Sequence, residues 1–183
     1  MSMSSSGSIV MVSLDRIPAE AGAQARVKIR GDVVRHYAAA MTEQQTEGGV
    51  RFPPVVLFTD GQEYWLADGW HRVLAARRAG LTEIAAEVRP GMVRDALLHS
   101  VSANSAHGLP RTNADKRKAV ALLLADSEWS QWSDREIGRH CQVDHKVVGR
   151  MRRASGAEPQ IAERKVRRGD TVYEMTVESQ HPL

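Results

Sequence analysis

The sequence contains a single cysteine among its 183 residues, so it cannot form an intramolecular disulfide, and we expect a cytosolic protein. Its seven histidines are scattered, and no pair of cysteines or histidines has the spacing of a zinc site. No run of about 18 apolar residues occurs, which excludes a transmembrane helix. The opening residues MSMSSSGS lack the basic and apolar regions of a secretory signal. We therefore expect residues 1–8 to form a disordered leader.

What the chain does have is an uneven distribution of charge. It carries 25 basic and 22 acidic residues, a net charge of +3. Residues 106–168 hold 14 basic and 8 acidic residues, whereas the remainder has a net charge of −3. A basic segment attached to a mildly acidic one predicts a polyanionic partner for the basic segment alone. A solvated charged surface would have the same composition, so charge by itself leaves both interpretations open.

The first 105 residues alternate between strand and helix patterns and predict an α+β domain over residues 9–105. Asp60-Gly61 separates two apolar runs, which is typical of a β-hairpin, and Asp32 is a suitable N-cap for a helix. Strands are predicted at residues 9–14, 55–58, 63–66 and 84–88, helices at 32–44, from Gly69 to Gly80 and at 92–103, and a loop at 42–51. The helical positions predicted to pack are Val33, Val34, Tyr37, Ala38, Met41, Val73, Leu74, Ala76, Ala79, Val93, Ala96, Leu97 and Val101.

Beyond Pro90-Gly91 the pattern is helical, and residues 106–155 predict an all-α second domain. A helix begins near Thr112–Asp115, and two shorter helices follow within Ser133–Arg153. Residues 156–163 are typical of a linker, and a hairpin is predicted at 166–177 around Gly169-Asp170. The stripe predicted to pack on the first of these helices consists of Ala119, Leu122, Leu123 and Ala125.

The segment Ser133–Arg153 has the pattern of a helix-turn-helix. Ser133 and Glu136 form the capping box of the first helix, and Asp144 caps the second. Gln142 occupies the turn position where glycine is most common, which predicts a strained turn. The positions predicted to face the partner helix are Gly138, Val143, Val148 and Met151.

The outer side of the second helix carries the residue types that bind DNA. A helix in the major groove needs small or polar donors near its N-terminus and cations beside the phosphates. An ordinary helical hairpin with a basic surface is the alternative. Trp129 and Trp132 precede the motif, and we expect them to pack in the core because aromatic residues at helix junctions usually do. The predicted DNA-binding residues are Arg135, His145, Lys146, Gly149, Arg150 and Arg153.

A second candidate site lies where a predicted strand runs through Asp68 and Gly69 directly into a helix. Glycine allows the backbone to approach a ligand closely, and the free N–H groups of the first helical turn suit an anion. His71 and Arg72 add donors for phosphate oxygens. In the alternative interpretation, Asp68 caps the helix and His71 is a satisfied polar residue, and the residues alone favour this alternative.

Several short motifs occur in a recognisable order. In order and spacing they resemble the ParB/sulfiredoxin superfamily, and the second half is more similar to ParB-like regulators of streptomycin-type pathways. The resemblance covers roughly residues 12–153. The motifs are Gln24-Ala25-Arg26, Phe52-Pro-Pro54-Val-Val-Leu57, Asp68-Gly-Trp-His-Arg72, Ala103-Asn104-Ser-Ala-His107-Gly-Leu-Pro-Arg111 and Trp132-Ser-Asp-Arg-Glu-Ile137.

The resemblance implies a ParB-like domain that binds CTP with Mg²⁺ at the strand–helix turn, with a following helix completing the pocket. Gly69, Arg72 and Asn104 match the family's motifs. Ala103 stands where the family has an acid, which argues against metal-assisted hydrolysis of CTP. Trp70 stands where sulfiredoxins have a cysteine, so their thiol chemistry is absent. The nucleotide-binding residues implied are Asp68, Gly69, Trp70, His71, Arg72, Asn104 and His107.

Taken together, the sequence predicts a ParB-like DNA-binding protein that acts in plasmid or chromosome partition or in transcriptional regulation. We expect a homodimer on duplex DNA at the nucleoid, because one helix-turn-helix reads only a half-site. One alternative is a CTPase or nuclease of the same fold, although only Asp68 and Asp60 could serve as clustered carboxylates for a nuclease. Another alternative is a non-catalytic adaptor that binds an acidic protein.

Overall fold

In the computed structural model, contacts along the chain divide it into two units, Met1–Leu109 and Pro110–Leu183. The structure describes residues 8–18, 27–46, 52–103, 110–155, 163–168 and 171–176. Residues 1–7 of the predicted leader, the predicted boundary between residues 105 and 106, and the site candidates Asn104 and His107 lie outside the described residues. Ser8, predicted as the last residue of the leader, is instead the first residue of a strand. No helix among the described residues is long and apolar enough to span a membrane.

The first unit contains a four-stranded sheet with the strand order β1-β4-β2-β3. β1 is antiparallel to β4, β4 is parallel to β2, and β2 and β3 form the predicted hairpin. The hairpin turn is stabilised by Asp60, whose Oδ1 accepts hydrogen bonds from the backbone N–H groups of Gln62 and Glu63. The strands are β1 (Ser8–Ser13), β2 (Val55–Thr59), β3 (Tyr64–Asp68) and β4 (Glu83–Pro90), and the helices are α1 (Gly31–Thr46), α2 (Trp70–Arg78) and α3 (Val93–Ser102).

Helices pack on both faces of the sheet. Successive residues of a strand lie on opposite faces, so neighbouring residues of β2 contact different helices. Val55 and Leu57 of β2 belong to one core with residues of α1 and α2, whereas Phe58 packs in a second cluster with Ala96 of α3. Leu66 of β3 likewise joins the first core. The loop after β3 thus leads directly from the sheet edge into α2, which places the Asp68–Arg72 turn at the edge of the main core.

The predicted strands and helices of this unit are confirmed, with three corrections. Helix α1 begins at Gly31, so Asp32 lies inside the first turn, where it pairs with Arg30 instead of capping. The same helix continues to Thr46, so the segment from Thr42 to Thr46 is helical and not part of a loop. Val93 opens α3 with 41% of its surface exposed, because the first turn of that helix extends beyond the second cluster.

Within the described residues, the second unit contains three α-helices followed by a two-stranded hairpin. Thr112 caps the first helix, in a reciprocal capping box with Asp115. Val120 is fully buried, whereas Ala125, which was predicted to pack, is exposed at the helix end. The predicted hairpin is confirmed, although Glu163 belongs to its first strand and not to a linker, and the turn at 169–170 is outside the described residues. The elements are α4 (Asn113–Ala125), α5 (Asp134–Cys141), α6 (His145–Ala154), β5 (Glu163–Arg168) and β6 (Thr171–Thr176).

Candidate nucleic-acid interface and Asp68–Arg72 turn

Helices α5 and α6 pack against each other, and each begins at a capped N-terminus. Ser133 Oγ accepts a hydrogen bond from the backbone N–H of Glu136 at 3.2 Å, and Asp144 Oδ1 accepts one from the backbone N–H of Lys146 at 2.7 Å. Both predicted N-caps are therefore present, but the described bonds include only the Ser133 half of the predicted capping box. The Glu136 carboxylate pairs with Arg139 and lies 3.4 Å from Nε2 of His140, so it also links successive turns of α5.

The connection between the two helices is only three residues long, and two of its backbone features require particular residues. Gln142 has φ 57° and ψ 47°, in the left-handed region, so the predicted strain is confirmed. The backbone N–H of Val143 donates to the carbonyl of Gly138 at 2.9 Å. A Cβ at Gly138 would lie 2.8 Å from the carbonyl oxygen of Val143, so only glycine allows this close approach.

A buried arginine fixes the second helix against the start of the first. Arg152 of α6 is 5% exposed, and its Nε donates to Asp134 Oδ1 at 2.9 Å. Its two terminal nitrogens donate to the carbonyl oxygens of Ser130, at 2.5 Å, and Trp132, at 2.9 Å. The sequence analysis missed this role because it considered the basic residues of α6 only as part of the outer side and made no prediction for Arg152. The available signal was the spacing, since Arg152 follows the buried Val148 by four residues and so shares its face.

The outer side of α6 carries three exposed cations in one stripe. Lys146, Arg150 and Arg153 follow one another at intervals of four and three residues, which places them on one face of a helix. No ion pair within the described part of the chain uses any of the three. Arg135 on α5 and His145 at the start of α6 are exposed as well. This surface can attract a polyanion, since its positive charges are not neutralised within the described residues.

Gly149 was predicted to belong to the same outer surface, and that prediction is wrong. The residue is buried, and a Cβ added to it would lie 3.0 Å from Oδ2 of Asp134. Gly149 therefore lies against the carboxylate that holds Arg152, and its lack of a side chain makes room for that ion pair. Trp129, in contrast, is buried as predicted, and Trp132 stacks on the ring of His140 with the ring centroids 4.9 Å apart.

In the Asp68–Arg72 turn, the motif residues are engaged in bonds within the chain. Gly69 has φ 104°, and a Cβ there would lie 2.5 Å from Cγ1 of Val55, so glycine is needed for packing against β2. The guanidinium of Arg72 donates to Asp68 Oδ2 at 2.8 Å and to the carbonyl oxygens of Pro53 and Pro54. These bonds connect the start of β2 to the start of α2.

His71 is also part of this internal network. It is buried, and its Nε2 accepts a hydrogen bond from the backbone N–H of Arg30 at 3.1 Å, just before α1 begins. Asp68 pairs with Arg72, and α2 begins after Gly69 without a side-chain cap. The satisfied histidine of the alternative interpretation is therefore found, whereas its capping aspartate is not. Four of the five residues of the motif, all except Trp70, therefore have a structural explanation.

Two features of the turn concern hydrogen-bond donors that no described side chain satisfies. The first helical turn of α2 has no side-chain cap at its N-terminus. Trp70 is buried, and its indole Nε1 has no hydrogen-bond partner in the described part of the structure. A buried donor without a partner is unusual, because most such groups are satisfied by protein or water.

The residues present do not fit a magnesium ion at this turn. No group of three or more His, Cys, Asp or Glu residues lies together within the described ranges. Asp68 is paired with Arg72, and Asp60 already accepts two backbone hydrogen bonds, which lower the pKa of its carboxyl. Ala103, where the family has an acid, offers no ligand.

Comparisons with known proteins place this geometry in context. No family model matches the chain. It is 36% identical over 109 residues to the streptomycin biosynthesis operon possible regulatory protein of Streptomyces griseus, and 36% identical over 105 residues to the transcriptional regulator NovG of Streptomyces niveus. These matches cover 60% and 57% of this chain but 30% and 32% of the relatives, so the chain spans about a third of their length.

A solved structure extends the comparison to the fold. The C-terminally truncated chromosome-partitioning protein ParB from Caulobacter crescentus, complexed to the centromeric parS site, aligns with a TM-score of 0.52 and 17% sequence identity. The alignment covers 82% of this chain and 73% of ParB. The resemblance seen in the sequence is thus confirmed at the level of the fold: the chain has a ParB-like fold, and Streptomyces regulatory proteins are among its relatives.

Proposed function

We propose that the chain is a DNA-binding transcriptional regulator in which α5 and α6 form a helix-turn-helix and α6 enters the major groove. The observation that carries the proposal is the two-sided character of α6. Its inner side is fixed by the fully buried Val148 and by the Arg152–Asp134 pair, and its outer side bears Lys146, Arg150 and Arg153. A rigidly held helix with free cations is what base reading requires.

The position of the cations suggests a division of roles along the helix. Lys146 lies in the first turn of α6, and in helix-turn-helix proteins the N-terminal residues of the second helix contact base edges. Arg153 lies in the last turn, where a phosphate contact is the natural role for a cation. Arg150 lies between them. We therefore assign base contacts to Lys146 and Arg150, and phosphate contacts to Arg153 and to Arg135 of α5.

We further propose that two copies bind together at the nucleoid. One helix of this kind reads a half-site, and dimers of such proteins bind two half-sites separated by one turn of DNA or a multiple of it. Transcriptional regulation is preferred over partition because both sequence relatives carry regulatory names at 36% identity, whereas the likeness to ParB is one of fold at 17% identity.

The experiment that tests this function is selection of binding sites from a random duplex library by the full chain, followed by sequencing. The proposal predicts enrichment of one short sequence, in two copies related by a dyad and spaced by a whole number of DNA turns. Enrichment of no sequence would contradict base reading. If the chain bound an acidic protein instead, duplex DNA would neither be retained nor compete with that protein.

A second candidate function, nucleotide binding at the Asp68–Arg72 turn, rests on the buried Nε1 of Trp70 and on the uncapped start of α2. Together these supply donors for an anion such as a triphosphate. Because Arg72 and His71 are already bonded within the chain, binding would have to use backbone N–H groups, or Arg72 would have to exchange partners. We propose CTP without a metal ion as the form to test first.

Trp70 provides the readout for this second proposal. In a variant whose other three tryptophans, Trp65, Trp129 and Trp132, are replaced by Phe, and whose fold has been checked by circular dichroism, CTP should change the fluorescence of Trp70. ATP, GTP and pyrophosphate serve as competitors that separate recognition of the base from recognition of the phosphates. An unchanged spectrum at millimolar concentrations of all four, with no heat in calorimetry of the unaltered chain, would rule out nucleotide binding here.

A further inference from the structure

The C-terminal hairpin has a basic first strand. Four of the six residues of β5 are Arg or Lys, whereas β6 carries one charged residue, Glu174. The strands are antiparallel and paired along their whole length, from Glu163 opposite Thr176 to Arg168 opposite Thr171. A two-stranded ribbon of this kind is one of the two protein elements that the major groove of DNA admits.

The register divides the charges of the ribbon unequally between its two faces, since successive residues of a strand alternate between faces. Both acidic residues, Glu163 and Glu174, share a face with Lys165 and Arg167, so that face is neutral. The opposite face has two arginines and no acidic residue, with Tyr173 between them. The neutral face consists of Glu163, Lys165, Arg167, Val172, Glu174 and Thr176, and the arginine face consists of Arg164, Val166, Arg168, Thr171, Tyr173 and Met175.

The length of the chain keeps the ribbon close to α6. Eight residues separate Ala154, the last residue of α6, from Glu163, the first of β5. Even a fully extended chain of this length spans only about 32 Å. That is less than one turn of B-DNA, which is about 34 Å long. Any DNA that α6 contacts is therefore within reach of the ribbon.

We propose that the arginine face of the β5–β6 ribbon binds phosphates of the same DNA duplex, as a second contact that carries no sequence information. The proposal rests on the DNA-binding function proposed above. Guanidinium groups bind phosphate oxygens through paired hydrogen bonds, and the register places Arg164 and Arg168 on the face of the ribbon whose six positions include no acidic residue. On the neutral face, Lys165 has Glu174 as its register partner.

The test compares two double variants of the full chain that lose the same charge from opposite faces. Arg164→Gln with Arg168→Gln alters the arginine face, and Lys165→Gln with Arg167→Gln is the matched control. Affinity for a fluorescent duplex of random sequence is measured at a series of KCl concentrations. Each phosphate contact contributes about 0.9 to the slope of log affinity against log salt. We expect the arginine-face variant to lose about 1.8 from this slope, and the control to lose less than about half of that.

A third variant, Arg164→Lys with Arg168→Lys, retains the charges and should retain the slope. Equal losses in the two Gln variants, or no loss in either, would overturn the proposal. It would also be overturned if the arginine-face variant lost stability in thermal unfolding while its slope stayed unchanged, because that result would assign these residues to packing. Absence of DNA binding by the unaltered chain would contradict the proposed function itself, whereas binding with an unchanged slope in the variant contradicts only the ribbon.

Discussion

Arg152 Nε lies 2.9 Å from Asp134 Oδ1, and this bond joins the last turn of α6 to the first residue of α5. The two residues are 18 positions apart, and the same guanidinium also binds the carbonyl oxygens of Ser130 and Trp132. The arginine is 5% exposed, so its charge is compensated almost entirely by these three partners. The pair thereby sets the angle at which α6 leaves α5.

Arg152→Ala should destabilise the second unit by about 3 kcal/mol, because it leaves the Asp134 carboxylate and two carbonyl groups without their donor. Arg153→Ala is the matched control on the neighbouring, exposed position, and should change stability by less than about 0.5 kcal/mol. Amide hydrogen exchange along α6 measures the difference directly. Equal protection in the two variants would show that the Arg152 bonds do not hold the helix.

Gly138→Ala should cost about 1–3 kcal/mol, because its Cβ would meet the backbone carbonyl of Val143 at 2.8 Å and the backbone must move. Gly31→Ala provides a control within a helix, since the atom nearest to its added Cβ is 3.8 Å away, on the side chain of Arg35. Thermal melting of the two variants should therefore differ by several degrees. If the Gly138→Ala protein melts at the same temperature as the unaltered chain, the close approach of the backbone at this turn is contradicted.

Arg72→Ala should destabilise the first unit by about 2 kcal/mol in the absence of any nucleotide, because the carbonyls of Pro53 and Pro54 and the carboxylate of Asp68 lose their donor. Arg78→Ala, at an exposed position at the end of the same helix, should have little effect. Denaturant titration checks both. If the two variants are equally stable and CTP binding alone is lost, the role of Arg72 is in ligand binding and not in the fold.

Burial raises the pKa of the Cys141 thiol from 9.0 to about 12, so the folded chain should react very slowly with iodoacetamide at pH 8. Because the pKa of the folded state is the higher one, the contribution of this thiol to stability is complete below pH 9 and decreases as the pH rises toward 12. The rate of thiol labelling should therefore report how often the second unit unfolds. Val148→Asp, which buries an unpaired charge at a fully buried position, should greatly increase this labelling rate. Rapid labelling of the intact chain would show that the thiol is accessible.

The elements of the fold could be predicted from local signals, because the strands and helices have their own apolar periods and several helices have a capping residue at their start. Ser133 and Asp144 cap the helices that their positions predicted. The corrections concern residues whose environment is set by contacts that the local sequence pattern does not show. Asp32 is drawn into an ion pair with Arg30, and Val93 extends beyond the cluster it was expected to join.

The site was harder to predict, because a basic residue can be exposed on the surface or buried with partners in the core. The spacing places Arg152 on the same face as Val148, but the sequence does not show which groups would pair with a buried guanidinium, since two of its partners are carbonyl oxygens from the segment before α5. Gly149 was placed outside for a similar reason, as the carboxylate beside it comes from the other helix. Likewise, the bonds from Arg72 to Pro53 and Pro54 span 19 and 18 residues, respectively.

The central claim is that the outer side of α6 reads base pairs, and it is tested by measuring how strongly the chain prefers its selected duplex over a random one. The ratio of the two dissociation constants is measured at one salt concentration for the unaltered chain and two double variants. Lys146→Ala with Arg150→Ala removes the proposed base contacts, and Lys116→Ala with Arg117→Ala removes the same charge from α4. We predict that the first variant loses the preference by more than about tenfold, since each base contact contributes about 1–3 kcal/mol of discrimination, while the second keeps it. An equal preference in all three proteins would contradict the claim.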